Sequence, residues 1–434
     1  MSDPDQRMGP APPEPATAPP DGDSPRTGWR ALTVDLGPLR RHRDLRLLTI
    51  SRGISFFGSM ITYVGIPYQV FRLTHSSLAV GMLGAAELAC LLSSAFVGGA
   101  LADATDRRRL VLGTEATLAL CSVALLVNAA LARPRTWILF VIAGVMAGLN
   151  GIQRPALAAL IPRLVDAHEL ASTAAIESLQ GTVAMIAGPA LAGLLIAGPG
   201  LPATFGVDVG TFALSLVALA AMVAVPPPAD AERPSVRRVL EGLRYARSRQ
   251  ELVGTYVIDM AAMFFGMPIA LLPAIAARYG GAGALGALYA APPAGAFLAT
   301  VTSGWTSRVH RHGLAIAAAA TLWGGAIVVF GLAGRLWLAL AGLVVAGGAD
   351  MVSGIFRMTM WNRTVPDSLR GRLASIEMVS YTSGPLLGNT EAGAVAALFG
   401  VRASVVSGGV LCVAAVLLTS AALPAFRAYD DRRR

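Results

Sequence analysis

The sequence predicts an all-α membrane protein with twelve transmembrane helices in two pseudo-symmetric six-helix bundles, and three observations predict it. The 434-residue chain is 54% hydrophobic and 14% charged, with a mean hydropathy of +0.60. Soluble domains run at about 45–50% apolar and about 25% charged. The apolar residues fall into stretches long enough, as helices, to cross a hydrocarbon core of about 30 Å. Short motifs of the first half return in the second half in the same order.

Composition also excludes function classes. All 35 basic residues are arginine. A P-loop ATPase needs the lysine of its phosphate loop, and Schiff-base chemistry needs a lysine amine. The three cysteines, Cys90, Cys121 and Cys412, lie inside apolar runs, with neither metal-ligand spacing nor a disulfide framework. No cofactor is expected. The net charge of +9 resides in short inter-span loops, which speaks against nucleic acid. His168-Glu169 does not continue as HExxH, and no GxSxG elbow occurs, so an enzyme is not expected.

Residues 1–36 contain PAPPEPATAPPDGDSP and too little apolar surface to offset ordering entropy; a disordered cytoplasmic tail is expected. Spans are expected at 46–72, 77–101, 110–131, 136–160, 172–197, 203–225, 252–275, 284–305, 313–333, 336–361, 373–399 and 401–423. They divide into an N-terminal bundle within 37–225, a linker at 226–251, a C-terminal bundle within 252–425 and a tail at 426–434. Tails and loops on the side of the N-terminus hold 26 arginines, and the opposite loops hold six. The positive-inside rule then places both termini in the cytoplasm. In the linker, Val236, Val239, Leu240 and Leu243 share a helical face, which predicts an interfacial amphipathic helix.

The internal repeat rests on three matches. Gly151-Ile-Gln-Arg154 parallels Gly354-Ile-Phe-Arg357, Ile176-Glu177 parallels Ile376-Glu377, and Gly188-Pro-Ala-Leu parallels Gly384-Pro-Leu-Leu. Repeats related by an axis along the membrane normal are a transporter architecture, with the cargo site between the halves.

The loop after the second span runs Gly99-Ala-Leu-Ala-Asp103-Ala-Thr-Asp106-Arg107-Arg108-Arg109. Glycine permits close helix approach, and an aspartate beside arginines suits a charge-assisted latch. This loop resembles the GxxxDRxxRR signature of the major facilitator superfamily, with Ala104 where arginine is usual. The run at Gly188, Pro189 and Gly193 in the fifth span resembles that superfamily's exporter motif, with Ala192 replacing one glycine. Its other reading is small-residue helix packing. The superfamily's helix 4 arginine motif is not evident. The stretches at 74–81, 288–296, 302–304 and 364–372, with EGLRY at 241–245, resemble the superfamily's enterobactin-exporter and drug-efflux branch.

Charged residues inside spans cost about 2.5–3.5 kcal/mol at a helix centre and mark functional sites by default. Glu87, Asp350 and Glu391 are the first candidates for proton or substrate coupling, followed by Asp259, Glu115 and Arg52. Arg154 with Glu177, and Arg357 with Glu377, recur at equivalent depths and are expected as gate ion pairs, with purely structural salt bridges the other reading. The first helix of each three-helix unit is expected to line the cavity, offering Ser55, Ser59, Tyr63, Asn150, Gln153, Met260, Met263, Phe264, Phe265, Met351, Met358 and Trp361, with ordinary helix packing or lipid contact the other reading for each.

The resemblance implies a monomeric secondary active exporter of the bacterial cytoplasmic membrane, exchanging protons for a small amphipathic, enterobactin-like siderophore by alternating access. Efflux of a macrolide- or tetracycline-type antibiotic is the alternative. A lipid flippase and a non-transporting sensor are further ones.

Overall fold

The computed structural model describes residues 35–104, 106–223, 244–366 and 369–433, with backbone alone at 95–104, 159, 371–372, 374–380 and 433. The tail at 1–34 and most of the linker, including the expected amphipathic helix, lie outside the described residues.

Twelve long helices carry the fold: α1 Arg43–Thr74, α2 Ser77–Ala104, α3 Arg107–Ala130, α4 Thr136–Leu160, α5 Leu170–Ala197, α6 Leu201–Ala220, α7 Gln250–Phe265, α8 Ala282–Val301, α9 His312–Leu332, α10 Leu336–Thr364, α11 Arg370–Phe399 and α12 Val401–Ala422. Among the described residues eleven segments are long and apolar enough to cross a membrane, the seventh of them running from Gln250 to Ala276. At 1.5 Å per residue, the 20-residue α6 and α8 reach about 30 Å, and the 16-residue α7 crosses together with its continuation to Ala276. Their large apolar side chains face outward as well as inward: Leu194, Val217, Leu398 and Leu418 are all exposed. In lipid these positions need no covering.

The helices obey one packing scheme twice. α1 packs on α5 and α6, α2 on α4, and α3 on α4 and α6. Adding six to each number gives the second half: α7 on α11 and α12, α8 on α10, and α9 on α10 and α12. The connecting backbone repeats too. Gly200 (φ +90°) opens α6 and Gly400 (φ +89°) opens α12, a left-handed conformation that glycine adopts without a Cβ penalty. The two most extensive contacts between the halves, α2 along α11 and α5 along α8, are equivalent under the same relation.

The expected spans match these helices to within a few residues, with one correction. The seventh is not continuous. After Phe265 the chain leaves the helix at Gly266-Met267-Pro268, makes a 3-10 turn at Ile269–Leu271 and resumes as a short helix, Leu272–Ala276. Pro268 has no N–H to continue the ladder, and the residue before a proline is steered away from helical backbone. The Asn389 side chain accepts from the Ala270 N–H at 3.1 Å, so one group released by the break is satisfied by α11.

Candidate functional site

Two of the cavities in the bundle lie beside the charged span residues. The first, about 310 Å³, is in the N-terminal half at the end where the termini lie. Ser55 and Ser59 of α1, Asn150 and Gln153 of α4, and Glu177 and Gln180 of α5 line it. The second, about 230 Å³, lies toward the far end between α1, α5 and the C-terminal half, with Tyr63, Met185, Met267, Tyr289, Trp323 and Asp350 in its wall.

The far end is sealed by glycine. A Cβ on Gly193 of α5 would stand 2.8 Å from the Gly286 Cα of α8. On Gly81 of α2 it would stand 2.6 Å from the Asn389 carbonyl and 3.0 Å from the Gly393 Cα, both of α11. Thr390 adds a hydrogen bond to the Gly81 carbonyl at 3.1 Å. Gly188 performs the same service inside the half, where a Cβ would meet Met60 of α1 at 2.6 Å. The Gly188-Pro189-Gly193 run therefore sets two helix crossings.

The charged span residues form three groups. In the first cavity Arg52 of α1 pairs with Glu177 of α5. In the second half Arg357 of α10 pairs with Asp259 of α7 and lies 3.6 Å from Asp350 on its own helix. The third group is interior to the N-terminal half. Glu115 of α3 accepts from Ser215 of α6 and from Gln153 at 2.9 Å. Ser51 lies 2.7 Å from the Ser215 hydroxyl. Glu87 is half-buried on α2, and Glu391 is half-buried near the far end of α11.

The expected gate pair Arg154–Glu177, which would close the inner gate and break when the protein faces inward, is not joined in this conformation. α5 packs along α1 rather than α4, so Glu177 meets Arg52, while Arg154 lines the same cavity as an exposed side chain. For the second pair, the side chain of Glu377 lies outside the described residues. Two expected cavity residues are corrected: Met263 and Trp361 are buried in helix packing. Trp361 donates from its indole to the Tyr256 hydroxyl at 3.2 Å.

In the loop motif, Asp106 caps α3 by accepting from the N–H groups of Arg108 and Arg109 at 2.8 and 3.2 Å. Arg108 reaches the last carbonyls of α6, Ala220 at 2.6 Å and Leu219 at 3.3 Å, where a cation satisfies groups the helix leaves open. Arg107 is buried. At Gly99 and Asp103 only the backbone is described.

Sequence reasoning missed Asp208 on α6. It is 0% exposed and accepts from Thr62 and Ser122 at 2.6 Å each, with Thr211 at 3.5 Å. Gly58 makes room for it, since a Cβ there would lie 2.5 Å from its carboxylate. The signal was available, because Asp208 stands in the middle of an apolar run.

This fold, two related six-helix bundles with the Asp350 carboxylate in the wall of a cavity between them, is that of a membrane transporter of the major facilitator type. The chain belongs to the family described as transmembrane secretion effector, whose model matches residues 33–434, and it is an exporter-type member of that superfamily. It is similar to the enterobactin exporter EntS of Citrobacter koseri, 28% identical over 399 residues, covering 91% of this chain and 94% of that one. EntS of Escherichia coli O1:K1 is 28% identical over 391 residues, covering 89% and 93%. Among solved structures, the nucleoside transporter NupG superposes with a TM-score of 0.71 at 12% identity, over 89% of this chain and 99% of that one. A bacterial homologue of the iron transporter ferroportin, in an inward-facing state, gives 0.65 at 14% identity, over 89% and 98%. These structures share the fold.

Proposed function

We propose that the protein exports a small amphipathic siderophore of the enterobactin type across the cytoplasmic membrane, in exchange for protons, by alternating access. It works as a monomer with both termini in the cytoplasm. On that orientation the conformation is inward-facing: the far end is closed by the Gly81–Gly393 and Gly193–Gly286 crossings, and the polar cavity lies at the cytoplasmic end.

The observation that carries coupling is the sharing of Arg357 between Asp259 and Asp350. One guanidinium cannot neutralise two carboxylates, so the Asp350 side chain, 42% exposed, faces the cavity with its charge incompletely matched. Charge left unmatched at this depth is costly. A proton or a cargo hydrogen-bond donor relieves it, and either event alters the hold of Arg357 on α7. Glu87 stands across the interface near Tyr63 and Tyr289 as a second acceptor. The similarity to EntS supports a siderophore as cargo. A second reading, efflux of an antibiotic, is favoured by the apolar, methionine-containing wall of the far cavity, since methionine adapts to varied ligands.

Inside-out vesicles containing the protein, energised with an imposed pH gradient, separate these readings. Accumulation of a catechol siderophore and not of a macrolide or tetracycline is expected. The reverse pattern assigns the antibiotic reading, and accumulation of none of them overturns export.

A further inference from the structure

Broken helix α7 has a consequence for the far cavity. Backbone outside a helix is tolerated at membrane depth where it is buried in protein or lines a cavity. Met267, Pro268 and Ile269 of the break do line the far cavity. Two donors in its wall, the Tyr289 hydroxyl and the Trp323 indole nitrogen, have no hydrogen-bond partner among the described residues. Their side chains are 6% and 5% exposed. The indole nitrogen sits against the break itself, where a Cβ on Gly266 would lie 2.4 Å from it. Leaving a buried donor unpaired costs about 1–3 kcal/mol, so two in one cavity call for a ligand that accepts from them.

The rest of the wall narrows the ligand. Tyr63 meets Tyr289 edge to face at 5.6 Å, which presents aromatic surface from both halves. Asp350 supplies an acceptor, and among the described side chains it and Asp259 outnumber their shared partner Arg357 by one negative charge. The volume is about 230 Å³. A cavity of about 150 Å³ holds benzene, whereas whole drug-sized ligands occupy about 300–1,000 Å³. The space fits one substituted ring.

We propose that this cavity is a single-ring subsite that takes an uncharged phenolic ring. The ring's oxygens accept from the Tyr289 hydroxyl and the Trp323 N–H, while a ring hydroxyl donates to Asp350. The surplus negative charge turns away phenolate and metal-loaded, polyanionic forms. A catechol cargo is thus taken metal-free and protonated, one ring at a time. The subsite's place in transport rests on the export reading above, but its binding chemistry can be tested separately.

The test is calorimetric binding to the full chain in nanodiscs, using N,N-diethyl-2,3-dihydroxybenzamide, its dimethoxy analogue and its trianionic ferric complex. The dihydroxy compound is expected to bind, the dimethoxy compound at least tenfold more weakly, and the ferric complex not measurably. Tyr289→Phe and Trp323→Phe should each weaken binding several-fold. Asp350→Asn should erase the preference for hydroxyl over methoxy. Equal binding of the first two compounds, or binding that all three substitutions leave unchanged, overturns the subsite. Binding that responds to the substitutions without export of the probe from vesicles contradicts the export reading and leaves the subsite standing. Export of the probe that the substitutions leave unchanged contradicts the subsite alone.

Discussion

Glu115 of α3 accepts a hydrogen bond from Ser215 of α6, and seven residues along each helix the roles reverse. There Ser122 of α3 donates to Asp208 of α6 at 2.6 Å. The two helices run antiparallel, so each gives the other an acid and a serine. α1 reaches both sites, with Ser51 beside Ser215 and Thr62 bonded to Asp208. Such fully satisfied polar networks fix helix register where hydrophobic contrast between helices and lipid is absent.

The network predicts stability. Asp208→Ala leaves the Thr62 and Ser122 hydroxyls without their acceptor, while Thr211 keeps the Asp208 backbone carbonyl, and should cost about 1–3 kcal/mol. Val207→Ala, at an outward-facing neighbour, should cost much less. Thermal unfolding of the two variants in the same detergent compares them. Equal losses would show that Asp208 does not hold α1, α3 and α6 together.

The glycine crossings predict conformation. Gly193→Leu places a side chain where the Gly286 backbone now lies, so the far end should open. Spin labels at Arg133 and Arg335, exposed in far-end loops of opposite halves, should move apart relative to the parent protein. An unchanged distance distribution would mean that the crossing does not close the far end.

Arg52 and Glu177 predict a rescue. Each single charge reversal should reduce transport, and the double variant Arg52→Glu with Glu177→Arg should recover part of the loss, within the about 0.5–3 kcal/mol coupling usual for contacting residues. Reversing Arg154 together with Glu177 should recover nothing. The opposite ranking would restore the Arg154–Glu177 pairing expected from the repeat.

That reversal shows what the sequence could and could not convey. Length, hydropathy and the repeated motifs were enough for twelve helices and their six-plus-six relation, because membrane spans must be continuous apolar runs. Pairing was not legible, because it depends on which helices touch. Arg52 is the tenth residue of α1 and Asp259 the tenth residue of α7, equivalent positions with opposite charge. The repeat therefore keeps the scaffold and inverts the charge at this one position, and symmetry alone misleads about partners. The α7 break was foreshadowed by Pro268, yet its orphaned neighbours Tyr289 and Trp323 come together through folding.

The proposed coupling of cargo to protons runs through Asp350, and proton movement reads it without intermediaries. Purified protein in liposomes with a pH-sensitive dye inside should show proton flux when a catechol siderophore is added, and the flux should disappear in Asp350→Asn and in Glu87→Gln. Cargo movement with no accompanying proton flux, or flux that persists in both neutral variants, would contradict it.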